Sequence, residues 1–319
     1  MGVTEIAAGT WRLESLFGPR NLYQYVLADG DEAVVVDTGA GDTPREVIMP
    51  ALRALGIGPQ QVGLILVTHP DLDHQGGLAG LREALPVAQA GCGFADRMMV
   101  EEPERLVSDR YGAYQAEHGL GYGPAGEVWM RANYGAPAPV EIGFAGGEEL
   151  HVGDRRLVIR HAPGHSPGHL IVDEPAAGLL FTSDAVHWRM CPAADGSPAL
   201  PPTYEDVDPY LETIEMIADL APSELHSGHW PACSGAQVAS FLDESRAFVE
   251  RLDAALEERL ETPATLAELC SHADGRLGPF GADPVNLMFA VHGHLRRLLR
   301  HGRAQVVRAG ELPPRYRRP

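Results

Sequence analysis

The sequence predicts an α/β fold built as one main domain with an appendage. Short runs rich in β-branched and apolar residues alternate with stretches of helical spacing in the first part of the chain, and helical patterns dominate its last part. The chain has 319 residues, of which 45% are hydrophobic and 22% charged. A chain of this length and composition can bury a core without disulfides or structural metals.

The first third indicates a strand–turn–strand–helix order. Tyr23–Leu27 and Ala33–Val36 predict a hairpin, and Val47–Leu55 has the apolar spacing of a helix that glycines terminate. Leu64–Val67 is a wholly apolar strand that leads into a polar loop, and Gly77–Leu85 follows as a helix. The polar loop is therefore predicted to lie at the end of a buried strand.

The region from Phe94 to Tyr134 is rich in aromatic residues and methionine, without β alternation, and predicts helices and loops. Later strands are predicted at Arg156–Arg160, Leu170–Val172 and Leu179–Thr182, and later helices at Tyr210–Leu220, Val238–Leu260, Thr265–His272 and Val285–Leu299. With a final strand at Ala304–Arg308, the last segment fits either a winged-helix module or a helical extension packed on the main domain. We expect a catalytic domain over 1–237, with an insertion at about 94–140, and an extension over 238–319.

Charge and cysteine content limit the partners and the location. The 25 basic residues are all arginine and are outnumbered by 44 acidic residues, which gives a net charge of −19. This negative charge disfavours binding to polyanions such as nucleic acids. Leu295–Pro319 is the local exception, with eight arginines and one acid. The four scattered cysteines predict reduced thiols. No apolar run is long enough for a membrane span and no signal-peptide pattern is present, so a cytoplasmic location is expected.

Four predicted strand ends carry side chains that can bind metal. Residues 68–74 read THPDLDH, which gives four potential ligands in six residues and by itself could also be a polar turn that caps a helix. Downstream, residues 162–169 read APGHSPGH and bring His165 after a strand, Asp184 follows an apolar strand, and His229 follows Ser227 and Gly228. Because capping does not account for four such ends, we expect a convergent site for divalent ions.

Five elements follow one another along the chain: the DTG of residues 37–39, the HPDLDH of 69–74, the GHSPGH of 164–169, Asp184 and His229. In this order they resemble the motifs of the metallo-β-lactamase-fold hydrolase superfamily. The resemblance implies a four-layer αββα sandwich with a helical insertion and a C-terminal, mainly helical extension. It also implies two divalent metal ions. Their implied ligands are His69, Asp71 and His165 for one ion, Asp73, His74 and His229 for the other, and Asp184 as a bridge between them.

Asp71 departs from the family motif, which has its second histidine there; a related motif with a carboxylate occurs in flavodiiron proteins. A carboxylate in place of an imidazole favours iron or manganese relative to zinc, although zinc also suits the set. Family logic further makes Asp73 the ligand that accepts a proton during turnover, and hence the expected catalytic residue. Asp37 and Thr68 are candidates by position for orienting the imidazoles; a turn-forming aspartate and a strand-terminal threonine are the equal alternatives.

The expected function is a dinuclear metal-dependent hydrolase that uses a metal-bridging hydroxide on a small, partly apolar ester, lactone or thioester. The Phe94–Tyr134 region would form either a wall of the substrate site or a small core of its own. Three alternatives stay open: a phosphodiesterase or ribonuclease that uses the Arg-rich C-terminus, an iron-dependent redox protein prompted by Asp71, and a non-catalytic binding module. The expected partner is a small molecule, not a membrane, with nucleic acid and a second copy in a homodimer as further options.

Histidines outside the motif receive separate predictions. His161, His169 and His226 are expected to be structural, and His187 to face either the substrate or the surface. Six others have no matching partner in the pattern and are expected to be solvated: His118, His151, His272, His292, His294 and His301.

Overall fold

The computed structural model describes residues 2–280, 284–307, 310 and 312–319. The strands are β1 (Gly2–Ala7), β2 (Thr10–Phe17), β3 (Arg20–Asp29), β4 (Glu32–Val36), β5 (Val62–Val67), β6 (Gln89–Gly93), β7 (Ile142–Phe144), β8 (Glu149–Val152), β9 (Arg155–His161), β10 (Leu170–Glu174), β11 (Leu179–Ser183), β12 (Cys191–Pro192), β13 (Pro198–Leu200), β14 (Glu224–Ser227), β15 (Cys233–Ser234), β16 (Gln305–Val306) and β17 (Tyr316–Arg317). The helices are α1 (Met49–Leu55), α2 (Leu72–Gln75), α3 (Leu78–Ala84), α4 (Arg97–Glu101), α5 (Pro103–Arg105), α6 (Gln115–His118), α7 (Gly123–Arg131), α8 (Val207–Leu220), α9 (Ala236–Arg259), α10 (Leu266–Leu277) and α11 (Met288–Arg300).

The first sheet has the strand order β1-β2-β3-β4-β5-β6-β7. Its first four strands are antiparallel neighbours, whereas β4 to β7 pair in parallel. The predicted hairpin is β3 and β4, and the predicted apolar strand is β5. The N-terminal pair β1 and β2 did not stand out in the sequence, because its burial is mostly partial and its apolar pattern is correspondingly weak.

The second sheet has the order β15-β14-β11-β10-β9-β8. Neighbours β9, β10 and β11 alternate in direction, and β14 runs parallel to β11. As a result β9, β11 and β14 all point the same way, and their carboxyl ends meet at one edge of the sheet. The three later strands predicted from the sequence correspond to β9, β10 and β11.

The two sheets pack face to face, and helices cover their outer faces, as the four-layer αββα prediction required. Alternate residues of one strand serve different layers: Val35 packs outward with Leu52 of α1, whereas Val34 and Val36 pack inward against the second sheet. On the other side, Ile171 and neighbouring residues of the second sheet pack against α8 to α11 in one continuous apolar cluster.

The insertion and the extension are both helical. The insertion contains α4 to α7, and some of its apolar side chains form a small cluster with Phe17 and Leu72. The extension contains α9, α10 and α11, followed by the antiparallel ribbon of β16 and β17. Its helices share their apolar cluster with α8, so the extension packs on the main body. The predicted strand Ala304–Arg308 is observed as Gln305–Val306, and Arg308 lies outside the described residues.

Ion pairs with other parts of the chain neutralise much of the positive charge of the Arg-rich C-terminal segment. Among the described residues, five of its arginines form ion pairs with carboxylates: Arg296 with Asp206, Arg297 with Asp208 and Asp253, Arg300 with Asp206 and Asp208, Arg303 with Glu257, and Arg315 with Glu268. These partners lie on or next to α8, α9 and α10, which ties the segment to the rest of the chain. Within the described ranges, none of the helices combines the length and the apolar character that crossing a bilayer requires.

Candidate metal centre

The sheets bring the seven predicted ligands to one end of the sandwich. Asp71 immediately precedes α2, which follows β5, and Asp73 and His74 lie on that short helix. The other three ligands outside this loop follow β9, β11 and β14. The turn that carries His165 is held by the buried Asp96, which accepts hydrogen bonds from Ser166 Oγ and from the Gly168 backbone N–H.

One group of three side chains is formed by His69, Asp71 and His165. Asp71 Oδ2 lies 3.0 Å from His165 Nε2 and 3.9 Å from His69 Nε2. Both imidazoles are fully buried. All three offer ligand atoms within 4.8 Å of one another, so the group can hold a metal ion.

A second group is formed by Asp73, His74 and His229, with Asp184 beside it. His229 Nε2 lies 3.3 Å from Asp73 Oδ2, 3.4 Å from Asp184 Oδ2 and 3.4 Å from His74 Nε2. The ligand atoms of the first three again lie within 4.8 Å of one another. The rings of His69 and His74 are only 4.1 Å apart between centroids, so the two groups are adjacent.

Asp37 organises the base of the site from its position after β4. Its carboxylate accepts hydrogen bonds from the Thr68 backbone N–H at 2.8 Å, and from Thr68 Oγ1 and Ser183 Oγ at 2.9 Å each. It also lies 2.9 Å from His74 Nδ1, which leaves His74 Nε2 directed at the ligand group. Thr68 Oγ1 in turn lies 3.0 Å from His69 Nδ1. The orienting roles predicted for Asp37 and Thr68 agree with these contacts.

The side chains of this site suit divalent ions. His69 Nε2 and Asp184 Oδ1 are buried and have no hydrogen-bond partner in the described part of the chain, a costly state for polar atoms that a bound cation would relieve. Burial and neighbouring imidazoles lower the pKa of His69 well below its usual value, so it presents the neutral form that binds metal. Two imidazoles with a carboxylate in each group suit zinc, iron and manganese.

Charge pairs fix the carboxylates in their ionised form. Burial alone would raise the pKa of Asp73, but Arg20, whose Nη2 is 3.1 Å from Asp73 Oδ2, and His229 lower it to about 2. For His229 the opposite holds: burial alone would lower its pKa, yet Asp184 and Asp73 raise it to about 10. Without metal, His229 is therefore protonated at neutral pH.

A cavity of about 540 Å³ opens onto the ligand groups. Asp71, Asp73 and Asp184 line its floor. Its walls come from four parts of the chain: the β2–β3 turn, the insertion, the segment 193–203 that contains β13, and the start of α11. The wall residues include Phe17, Tyr111, Tyr122, Trp129, Met130, Leu200 and Phe289. The insertion thus supplies a wall of the cavity, and its apolar side chains also pack in a cluster shared with Phe17 and Leu72 of the main domain.

Comparison with known proteins decides the family. The family model for the metallo-beta-lactamase superfamily matches residues 17–229, which include every predicted ligand named above. The chain belongs to the metallo-beta-lactamase superfamily. Its extension lies beyond the matched residues.

Relatives within the superfamily are hydrolases by name. The chain is 26% identical over 220 residues to acyl-coenzyme A thioesterase MBLAC2 of Gallus gallus, covering 66% of this chain and 72% of that protein. It is 28% identical over 252 residues to the hydroxyacylglutathione hydrolase of Anaeromyxobacter dehalogenans, covering 77% of each chain. These matches support a metal-dependent hydrolase.

Two solved structures match nearly the full length of the chain. A metallo-beta-lactamase family protein of Thermus thermophilus superposes with a TM-score of 0.78 at 24% identity, covering 99% of this chain and 100% of that one. A beta-lactamase domain protein of Burkholderia ambifaria gives 0.75 at 19% identity, covering 99% and 93%. Both share the fold, including the part that follows residue 236.

Several residues of the site escaped the motif analysis. Arg20 follows a turn between β2 and β3, and Arg110 lies in the insertion, where no motif marks it. Arg110 binds Asp71 and also pairs with Glu205. The one available signal was electrostatic: an additional carboxylate at position 71, in a site expected to be largely buried, requires a cation nearby.

Residues 203–205 connect the site with the extension. Thr203 Oγ1 lies 3.4 Å from His165 Nδ1, and the Glu205 carboxylate pairs with Arg110. Between them, the Tyr204 hydroxyl points the other way and lies 2.7 Å from His294 Nε2 of α11. Since extended residues alternate in direction, one short segment contacts both the ligand group and the C-terminal helices.

The predictions for the remaining histidines need two corrections. His294 is fully buried between Tyr204 and Asp253, and His118 is also buried, so neither is solvated. His187 is buried as well, 3.2 Å from Thr203 Oγ1, which excludes the surface alternative. Sequence spacing did not reveal these positions because their partners come from segments far along the chain.

Proposed function

We propose that the protein is a dinuclear metal-dependent hydrolase of a small, partly apolar thioester, ester or lactone. The observation that carries the proposal is the cavity itself, whose floor is formed by three carboxylates of the ligand groups and whose walls are mostly apolar. Concave apolar sites with few polar groups at one end are typical of small-molecule binding. Zinc, iron or manganese would be the metals, with iron or manganese favoured by Asp71.

The proposed ligands are the seven residues predicted from the sequence, in two groups that Asp184 joins. When bound, the ions supply Lewis acidity and a nucleophile at neutral pH, so no serine or cysteine nucleophile is needed. Asp73 is proposed to accept the proton during turnover. Arg20 donates to Asp73 Oδ2, the same oxygen that faces His229, and keeps the carboxylate ionised. The aromatic walls would exclude water from an apolar acyl group.

A thioester is the favoured bond within this class. The relatives are named for acyl-coenzyme A thioesterase and hydroxyacylglutathione hydrolase activity, which supports acyl substrates. Among the described residues that line the cavity, Arg20 is the one cationic side chain, and Asp73 already pairs with it. With a net charge of −19 in addition, we propose that the substrate lacks a polyanionic group close to the cavity.

Matched substrates test this proposal. Acyl thioesters of N-acetylcysteamine and of coenzyme A share the scissile bond but differ in the phosphates, and both would be assayed beside an aliphatic lactone and bis-p-nitrophenyl phosphate. We expect kcat/KM to favour the uncharged thioester, and to rise roughly fourfold per acyl methylene that enters the cavity, from about 0.8 kcal/mol per buried CH₂. Metal content would be measured on protein purified without added metal.

Two variants anchor the assay. Asp184→Asn should abolish turnover, whereas Asp243→Asn, which removes the same charge from an exposed site on α9, should leave it unchanged. Turnover of the phosphodiester alone would refute the proposal in favour of the phosphodiesterase alternative. Oxygen consumption by iron-loaded protein without ester hydrolysis would refute it in favour of redox chemistry.

A further inference from the structure

Position 71 changes the charge of the first ligand group. An imidazole there would be neutral, whereas Asp71 adds a negative charge to a centre that already contains Asp73 and Asp184. The added charge requires a cationic partner in the metal-free protein, because a charge removed from water is stable only when it is paired. The structure contains a cation in the position where this compensation is needed.

That cation is Arg110, which contacts both oxygens of the Asp71 carboxylate but at unequal distances. Arg110 Nε lies 2.6 Å from Asp71 Oδ1, and Nη2 lies 3.3 Å from Oδ2. The Tyr111 hydroxyl donates a further hydrogen bond to Oδ1 at 3.1 Å. Oδ1 therefore accepts the shorter hydrogen bonds, whereas Oδ2 accepts the longer one from Nη2 and also faces the Nε2 atoms of His165 and His69.

Arg110 is itself fixed from several sides. Its exposed fraction is 3%, its Nη1 donates to the Glu205 carboxylate and to the His165 carbonyl oxygen, and its guanidinium lies 5.3 Å from the centroid of the Phe289 ring. The segment before α8, the turn after β9 and the extension thus all hold this one guanidinium of the insertion. Its planar shape suits such simultaneous hydrogen bonding better than a lysine ammonium would.

We propose that Arg110 is a positioning residue that makes Asp71 equivalent in charge to the histidine of the family motif and aims Oδ2 at the first metal position. The inference rests on the proposed metal centre. It predicts that residues 71 and 110 act as a matched pair: a carboxylate with a guanidinium, or an imidazole with a neutral side chain. Arg110→Gln takes the guanidinium away from Asp71. Asp71→His leaves that cation 3.4 Å from His165 Nε2, beside the metal position, with Glu205 as its other carboxylate partner.

A charge-matching cycle tests the pairing on the full-length, metal-free protein. Co²⁺ would be titrated into each protein in competition with a chromophoric chelator, and the visible Co²⁺ spectrum would be recorded. The proteins compared are wild type, Arg110→Gln, Asp71→His and the double variant. We expect each single variant to lose about 10- to 100-fold in affinity for one of two Co²⁺ ions, a typical effect of removing a group that orients a ligand. The double variant should recover most of that loss, and the other ion should bind within about twofold of wild type.

Two more variants separate pairing from general folding. Arg131→Gln removes an exposed arginine of the same insertion and should leave both affinities unchanged. Arg110→Lys retains the charge without the planar geometry and should restore part of the affinity that Arg110→Gln loses, even where the Gln variant folds poorly. The inference is overturned if Arg110→Gln binds two Co²⁺ ions with wild-type affinity and spectrum, or if the double variant is no better than the weaker single one. Wild type that binds fewer than two Co²⁺ ions would instead contradict the proposed function.

Discussion

Replacing Asp37 by asparagine should weaken one metal site selectively. The backbone at Asp37 has a φ of 62°, a left-handed conformation that asparagine also tolerates, so the change adds little strain. The retained amide oxygen can still accept the hydrogen bonds from Thr68. The new NH₂ group, however, faces His74 Nδ1 and Ser183 Oγ, where the carboxylate oxygen accepted.

The magnitude follows from those contacts. His74 can bind metal through Nε2 only when Nδ1 carries the proton, and an asparagine NH₂ cannot accept that proton's hydrogen bond. His74 is fully buried and would retain only the more distant Ser183 Oγ, 3.2 Å from Nδ1, as an acceptor, so losing the carboxylate should cost about 1–3 kcal/mol. Orienting groups of this kind typically change metal affinity by about 10- to 100-fold, equivalent to roughly 1.4–2.8 kcal/mol.

Calorimetric titration of the metal-free protein with Zn²⁺ or Mn²⁺ measures this effect, and urea unfolding of the same sample measures stability. We expect one of two binding events to weaken by about 10-fold or more and the other to stay within about twofold. Asp243→Asn, an exposed change of equal charge, is the control. If Asp37→Asn binds both ions with wild-type affinity, the hydrogen bond from His74 to Asp37 does not set the ligand geometry, and the reasoning fails.

Three other perturbations test the second ligand group, the cavity wall and the extension. Because Asp184 and Asp73 raise the pKa of His229 to about 10, metal binding at pH 8 should release a proton, which calorimetry would detect as a binding heat that depends on the buffer. In the metal-free protein, the stabilisation from protonated His229 is full below about pH 6.5 and disappears as the pH rises through 10. Equal free energies of unfolding at pH 7 and pH 10 would contradict this prediction. Trp129→Ala should lower kcat/KM for long acyl chains by roughly 5- to 30-fold, because about 1–2 kcal/mol of apolar contact is lost. Phe94→Ala, which changes an exposed aromatic residue outside the cavity lining, should have no effect. If kcat/KM depends on acyl-chain length as in wild type, Trp129 does not contact the substrate. Tyr204→Phe removes the hydroxyl that pairs with buried His294 Nε2 and should reduce the free energy of unfolding, measured in urea, by about 1–2 kcal/mol. Tyr134→Phe, which removes a surface hydroxyl, should not change it. An unchanged free energy of unfolding in Tyr204→Phe would show that this contact does not stabilise the packing of the extension.

The strands and ligands that the sequence revealed share one property: their signals are local. Continuous apolar runs such as Ala33–Val36 in β4 and Leu64–Val67 in β5 mark buried strands clearly, and ligand residues that follow such strands stay close in sequence to the pattern that announces them. The half-buried strands β1 and β2 carry a weaker pattern and were not predicted. The same limit applies to Arg110, whose partner Asp71 is 39 positions away along the chain.

By itself, the sequence determined the α/β class, the order of the main buried strands and the seven side chains that converge at their ends. These depend on hydrophobic periodicity and on short motifs, which are properties of neighbouring residues. Only the tertiary structure decided which charges compensate one another, that α11 helps to wall the cavity, and that His294 is buried instead of solvated. Those facts depend on contacts between distant segments, where the desolvation of a charge is balanced by a partner that no local pattern specifies.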